Sequence, residues 1–225
     1  KNNLKIISIV NQKGGVGKTT TAINLGTALA AIDKKILLID LDPQGNLSTG
    51  IGVTEKQRTN SVYDLITQSL SIHKTIQETK IPNLKIIPSN INLSGIEFEL
   101  AADEDRTNKL NNKINGLAGE YDVVLIDCPP SLGILTVNSL VASDSVLVPL
   151  QCEFYALEGL AQLLRTIEKV KENLNPGLFL EGFILTMFDS RNRLSDDVVA
   201  DAREHLGSKV FETVIPRNVR LSEAP

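Results

Sequence analysis

Tryptophan is absent and cysteine occurs only twice, at Cys128 and Cys152, in a chain of 225 residues. Two cysteines cannot build a disulfide framework, and this pair lacks the spacing of a zinc site, so a reduced, cytoplasmic setting is expected. No run of 18 apolar residues occurs, so no segment reads as a membrane-spanning helix. The opening "KNNLKIISIV" has a lysine and a short apolar run but no cleavage signature after it, and reads as a strand rather than a signal peptide. A basic excess is missing too. The formal charge of −4 excludes a whole-surface electrostatic grip on nucleic acid but leaves room for a local patch. Linkers, internal repeats and low-complexity tracts are likewise lacking.

What is present is the composition of a globular chain, 42% hydrophobic and 22% charged. Its length suits one domain over residues 1–225, burying roughly 70–75% of the unfolded surface. Runs rich in Val, Ile and Leu at 5–10, 35–40, 84–88, 122–127, 145–150 and 179–185 are apolar on both faces, as buried parallel strands are. Helix-length segments separate them. The clearest helix covers 156–174, where Leu157, Leu160, Leu163, Leu164, Ile167, Val170 and Leu174 share a face, and Asn175-Pro176-Gly177 ends it. The most polar part is 54–80, with a short helix expected to start at Ser61. The alternation predicts an α/β fold, a mostly parallel sheet with helices on both faces.

The first strand runs directly into "NQKGGVGKTT". A strand, a Gly-Gly-Val-Gly turn and a helix aim consecutive backbone N–H groups and the positive end of the helix dipole at an anion. Gly14, Gly15 and Gly17 would let backbone approach phosphate oxygens. Lys18 would reach the β- and γ-phosphates, and the Thr19 hydroxyl would ligate Mg²⁺. Val16 and Thr20 complete the cradle. The loop departs from the ordinary pattern twice: Gln12 stands where the first glycine belongs, and Lys13 is a second lysine.

A phosphate loop needs a further anchor for the metal, and "VVLIDCPP" supplies Asp127 at a strand end, expected to hold Mg²⁺ through water. "LLIDLDPQGN" adds Asp40 and Asp42, which point to opposite sides if the strand persists. A carboxylate of ordinary pKa accepts a proton from water poorly, so orienting the attacking water is the more economical role. Asp42, nearer the loop, is assigned to it, and Asp40 to the outskirts of the metal shell.

Together "KGGVGKTT", "LLIDLDPQGN" and "VLIDCPPSLG" resemble the ParA/MinD family of deviant P-loop ATPases, and "TMFDSRNRLS" with "VIPRNVRLSEAP" resembles its chromosomal ParA (Soj) branch, in order over nearly the whole chain. The resemblance implies an ATP- and Mg²⁺-dependent sandwich homodimer in which Lys13 crosses to the partner's phosphates. It implies switch segments at 42–46 and 128–133, Pro216 and Asn218 bordering the adenine with Arg217 nearby, and Arg191 and Arg220 binding duplex DNA without sequence preference. Charge alone would not single out these arginines, because residues 186–225 hold six Lys/Arg against seven Asp/Glu. It further implies slow ATP hydrolysis stimulated by a ParB-like centromere-binding protein, a place on the nucleoid rather than a membrane, and a further segment beyond "LSEAP". Two rival readings are a MinD-like, membrane-recruited switch and, from the two cysteines, an electron-transfer protein bridging an iron–sulfur cluster between subunits.

Overall fold

The computed structural model describes residues 4–68, 70–153 and 155–217. Among these residues eight strands, β1 (Lys5–Ile9), β2 (Ile36–Asp40), β3 (Gln77–Glu78), β4 (Leu84–Ile87), β5 (Val123–Asp127), β6 (Ser145–Gln151), β7 (Phe179–Phe188) and β8 (Val210–Pro216), form one sheet in the order β3-β4-β2-β5-β1-β6-β7-β8. All neighbours are parallel except β3, which runs antiparallel to β4.

The helices are α1 (Lys18–Ala31), α2 (Asn46–Gly50), α3 (Val62–Thr67), α4 (Ile96–Glu99), α5 (Lys109–Ile114), α6 (Ile134–Ala142), α7 (Leu160–Asn173) and α8 (Arg193–Leu206). Alternation along the strands splits the core in two. Ile7 and Ile9 of β1, Ile36 and Leu38 of β2, and Leu125 of β5 pack with Ala22 and Ala30 of α1 and Leu47 of α2. Leu37 and Ile39, Val124 and Ile126, and Val146 and Val148 pack on the opposite face with α5, α6, α7 and α8. The expected helices on both faces are therefore found, and all six anticipated strands lie within a residue or so of their expected starts.

Three elements differ from these expectations. The helix expected over 156–174 begins at Leu160, because Gly159 is left-handed at φ 76° and the residues before it form a turn. The last expected strand continues to Phe188 rather than ending at residue 185. β3 and β8 have no counterpart among the expected strands: β3 is two residues long, and the β8 run "VFETVIP" is mostly exposed at the sheet edge, without the doubly apolar character of a central strand.

Because β5 and β6 flank β1 while the chain leaves β1 toward β2, the sheet reverses its winding at β1, and the carboxyl end of this strand opens into a crevice. Residues 10–17 occupy that crevice.

Candidate functional site: a phosphate loop beside two buried aspartates

β1 delivers the loop and α1 leaves it. Gly15 and Gly17 are left-handed, at φ 72° and 83°. Open space lies beside Gly14 and Gly15 where side chains would stand, and the room suits an approaching anion. Gly17 is different: a Cβ would lie 3.2 Å from the Thr186 side chain, in a conformation other residues rarely adopt.

Thr186, on β7, is not among the residues to which the sequence points. Its hydroxyl donates to the Val16 carbonyl at 2.6 Å, with the Leu150 carbonyl at 3.3 Å. A trans peptide points its C=O and N–H in opposite directions, so fixing the Val16 carbonyl also fixes the direction of the Gly17 N–H. No sequence signal reveals this contact across 170 positions, since a lone threonine in a strand is ordinary. Asn11 braces the loop entrance, donating to the Pro149 carbonyl at 2.7 Å and accepting from the Lys13 N–H at 3.0 Å.

Lys18 is buried, and its ammonium donates to the Lys13 carbonyl at 2.9 Å. Burial lowers its pKa, opposed by the nearby charges of Asp127, Cys128 and Asp42. The Lys13 ammonium takes a different direction and donates to the carbonyl of Tyr155. The two lysines of the loop thus have separate acceptors. Thr20 follows at half-buried exposure in the first turn of α1.

Asp127 ends β5 level with Ile9 of β1 and Asp40 of β2. The Thr19 hydroxyl donates to its Oδ2 at 2.7 Å, which leaves the hydroxyl lone pairs available to a cation. Its other oxygen, Oδ1, is buried without a hydrogen-bond partner among the described residues. Burial, and then the neighbouring Asp40 carboxylate, push the Asp127 pKa up to about 8. An orphaned oxygen on a carboxyl that resists ionisation is what a cation or its water would relieve. Among the described residues no cluster of three or more His, Cys, Asp or Glu could cage a metal, so an ion held by Thr19 and Asp127 would draw its other ligands from phosphate and water, the usual habit of Mg²⁺.

Asp40 is fully buried, and burial raises its pKa to about 6. Its oxygens accept from Ser48 N at 2.8 Å, Ser48 Oγ at 2.6 Å and Asp42 N at 3.2 Å. It fastens the loop between β2 and α2 while standing beside Asp127. Asp42 lies beyond the strand end, so the opposed orientation expected of a persisting strand does not apply; its Oδ1 accepts from Gln44 N at 3.0 Å.

The remaining predicted residues are more scattered. Pro216 closes β8, and Arg217 lines a cleft with Cys152, Met187 and Asp189. Asn218 and Arg220 lie outside the described residues. Arg191 is highly exposed but forked onto its neighbour Asp189 through two contacts of 3.0 Å. Both thiols are buried; burial pushes Cys128 up to about 12 and Cys152 up to about 11. Among the described residues no helix is long and apolar enough to cross a membrane.

An AAA domain family profile matches residues 4–180. The chain is 54% identical over its whole length to the chromosome partitioning protein ParA of Caulobacter vibrioides, covering 85% of that protein. It is 50% identical over 98% of its length to the sporulation initiation inhibitor protein Soj of Bacillus subtilis, covering 87% of it. A solved structure described as cobyrinic acid a,c-diamide synthase from Mycobacterium smegmatis, with bound ADP and magnesium, superposes with a TM-score of 0.91 at 40% identity, over 96% of this chain and 87% of that one. A complex of a Cyanothece McdA variant with ATP superposes with a TM-score of 0.87 at 24% identity, over 100% of this chain and 87% of that one, a likeness of fold.

Proposed function

The chain belongs to the ParA/Soj family of P-loop ATPases, and from that premise we propose that it is an ATP-dependent dimerising switch for DNA partitioning. ATP and Mg²⁺ are its cofactors. The loop amides of residues 14–19 and Lys18 bind the phosphates, Thr19 and Asp127 hold the metal, and Asp42 orients the attacking water. When bound, Mg²⁺ neutralises charge on the transferring phosphoryl group.

The observation that carries this reading is the division of labour between the two lysines. Lys18 is buried against the loop, while Lys13 reaches out of it to the Tyr155 carbonyl. A tight loop cannot readily turn both ammonium groups on one γ-phosphate. A lysine whose acceptor lies outside the loop is one the loop does not commit to its own nucleotide, which supports assigning it to a second subunit, in the manner of an arginine finger. ATP binding then brings two subunits face to face, and hydrolysis separates them. The ATP-bound dimer binds duplex DNA without sequence preference through a surface that includes Arg191 and Arg220, works on the nucleoid, and is released by a ParB-like, centromere-binding partner that stimulates hydrolysis. Full-length identity to proteins named ParA and Soj supports the partitioning role over other uses of the fold.

The test is Lys13→Ala. The variant should bind a fluorescent ATP analogue with near-normal affinity yet stay monomeric in sedimentation with ATP, and lose the ATP-dependent retention of duplex DNA. A normal ATP-dependent dimer would remove Lys13 from the partner's site.

A further inference from the structure

Gln12, which stands where the first glycine of the loop belongs, turns its side chain to a distant turn rather than to the loop. Gln12 Nε2 donates to the Gly159 carbonyl at 2.9 Å. Upstream of Gly159, in the same turn, lies the Tyr155 carbonyl that receives the Lys13 ammonium. The two residues by which this loop departs from the ordinary pattern are therefore both spent on the turn 155–159. The turn is shaped for them: Tyr155 and Gly159 are both left-handed, at φ 66° and 76°, and a Cβ on Gly159 would collide with Gln12 Nε2.

We propose that Gln12 and the turn 155–159 form a keeper that holds Lys13 withdrawn in the unpaired subunit, with Gln12 as the positioning residue. This rests on the reading of Lys13 as a cation offered to a second subunit. An ammonium bound to a carbonyl of its own chain has to leave it before it can serve a partner's phosphate, so only the fraction of subunits with the turn released is competent to pair. Apparent affinity falls in proportion to that fraction. The Gln12 side chain acts not on the Lys13 ammonium but on the turn that carries its acceptor, and so sets how often Lys13 is free.

The magnitude follows from the contacts. One net hydrogen bond of the neutral kind corresponds to roughly a three- to tenfold bias. A symmetric dimer needs both of its lysines released, and the two biases multiply, so loosening the keeper should tighten the ATP-dependent dimer by about tenfold or more.

Gln12→Ala removes the pin from the loop side, and Gly159→Ala displaces the turn from the other side. Sedimentation over a range of protein concentrations with saturating ATP and Mg²⁺ gives the dimer dissociation constant of each, alongside ATP-analogue affinity and thermal melting without nucleotide. Both variants should dimerise about tenfold more tightly, while ATP affinity of the monomer stays within about twofold. Lys13→Ala should remain monomeric, as should the double variant Gln12→Ala, Lys13→Ala. If Gly159→Ala fails to fold, Gln12→Ala decides. A Gln12→Ala dimer equal to or weaker than the parent, with Lys13→Ala monomeric, overturns the keeper and leaves the trans lysine standing. A Lys13→Ala protein that dimerises normally overturns the trans lysine itself, and the keeper with it.

Discussion

At the scale of single residues, the phosphate loop is held in shape from outside itself. The Thr186 hydroxyl on the Val16 carbonyl and the Thr186 side chain against Gly17 are contacts between the loop and a strand far along the chain. A loop amide serves an anion only if its direction is fixed beforehand, because free rotation of the peptide would spend binding energy on ordering it. Thr186→Val keeps the shape and deletes the donor, leaving a buried carbonyl without its partner at a cost of about 1–3 kcal/mol. ATP affinity is expected to fall by roughly tenfold, with Thr186→Ser close to the parent. Equilibrium titration with a fluorescent ATP analogue checks this. A serine variant as poor as the valine one would mean that the methyl group, not the hydroxyl, matters.

Elements explain which of these features the sequence discloses. The central strands are legible because parallel strands covered on both faces are nearly all apolar, as "KILLID" and "VVLID" are, and because the glycine turn between β1 and α1 marks a strand-to-helix junction by composition. From the same stretches come Lys18, Thr19 and Asp127, which the fold brings together through the Thr19–Asp127 hydrogen bond and the shared level of β1 and β5. The start of α7 is not legible. Ala156 and Leu157 continue the apolar rhythm of the helix, and it is the left-handed backbone at Gly159, after the turn that begins at Tyr155, that starts the helix only at Leu160. Thr186 is invisible for a related reason, since its value comes from a contact and not from its neighbours in sequence.

The turn after β2 behaves as an element of its own. Asp40 anchors its base to Ser48, and Asp42 stands past the strand end, bonded to the Gln44 amide rather than to Thr19 or Asp127. The Thr19–Asp127 hydrogen bond, proposed as the metal anchor, therefore makes no use of Asp42. Asp42→Ala is expected to bind ATP like the parent and to hydrolyse it at least about tenfold more slowly, so that the ATP-bound dimer accumulates. Light scattering with ATP, together with phosphate release, measures both effects. A variant that cannot bind nucleotide would move Asp42 from the water to the binding shell.

The whole molecule carries a formal charge of −4, so the proposed hold on DNA would have to come from a local surface and from doubling. Each phosphate neutralised adds about one unit to the salt slope, and a dimer presents two sets of contacts on one rigid body. Arg191 enters this balance at a disadvantage, because Asp189 already grips its guanidinium through two contacts. The same fork, led by the side-chain hydrogen bond from Arg191, depresses the Asp189 pKa to about 2. A depressed carboxylate contributes its stabilisation above the ordinary range near 4 and loses it only as pH falls through about 2, so Asp189 stays charged and competes with phosphate for Arg191 at any pH where DNA binding is measured. If Arg191 faces DNA, this competition limits the affinity. Asp189→Asn should then strengthen duplex binding and steepen the salt slope by up to about one unit per subunit, and Arg191→Glu should weaken binding, with ATP affinity and dimerisation unchanged in both. Salt titrations against two duplexes of unrelated sequence, with the Asp42→Ala dimer as background, read the result. Equal slopes in all three proteins would take Arg191 off the DNA surface, and a strong preference for one duplex would contradict the nonspecific mode.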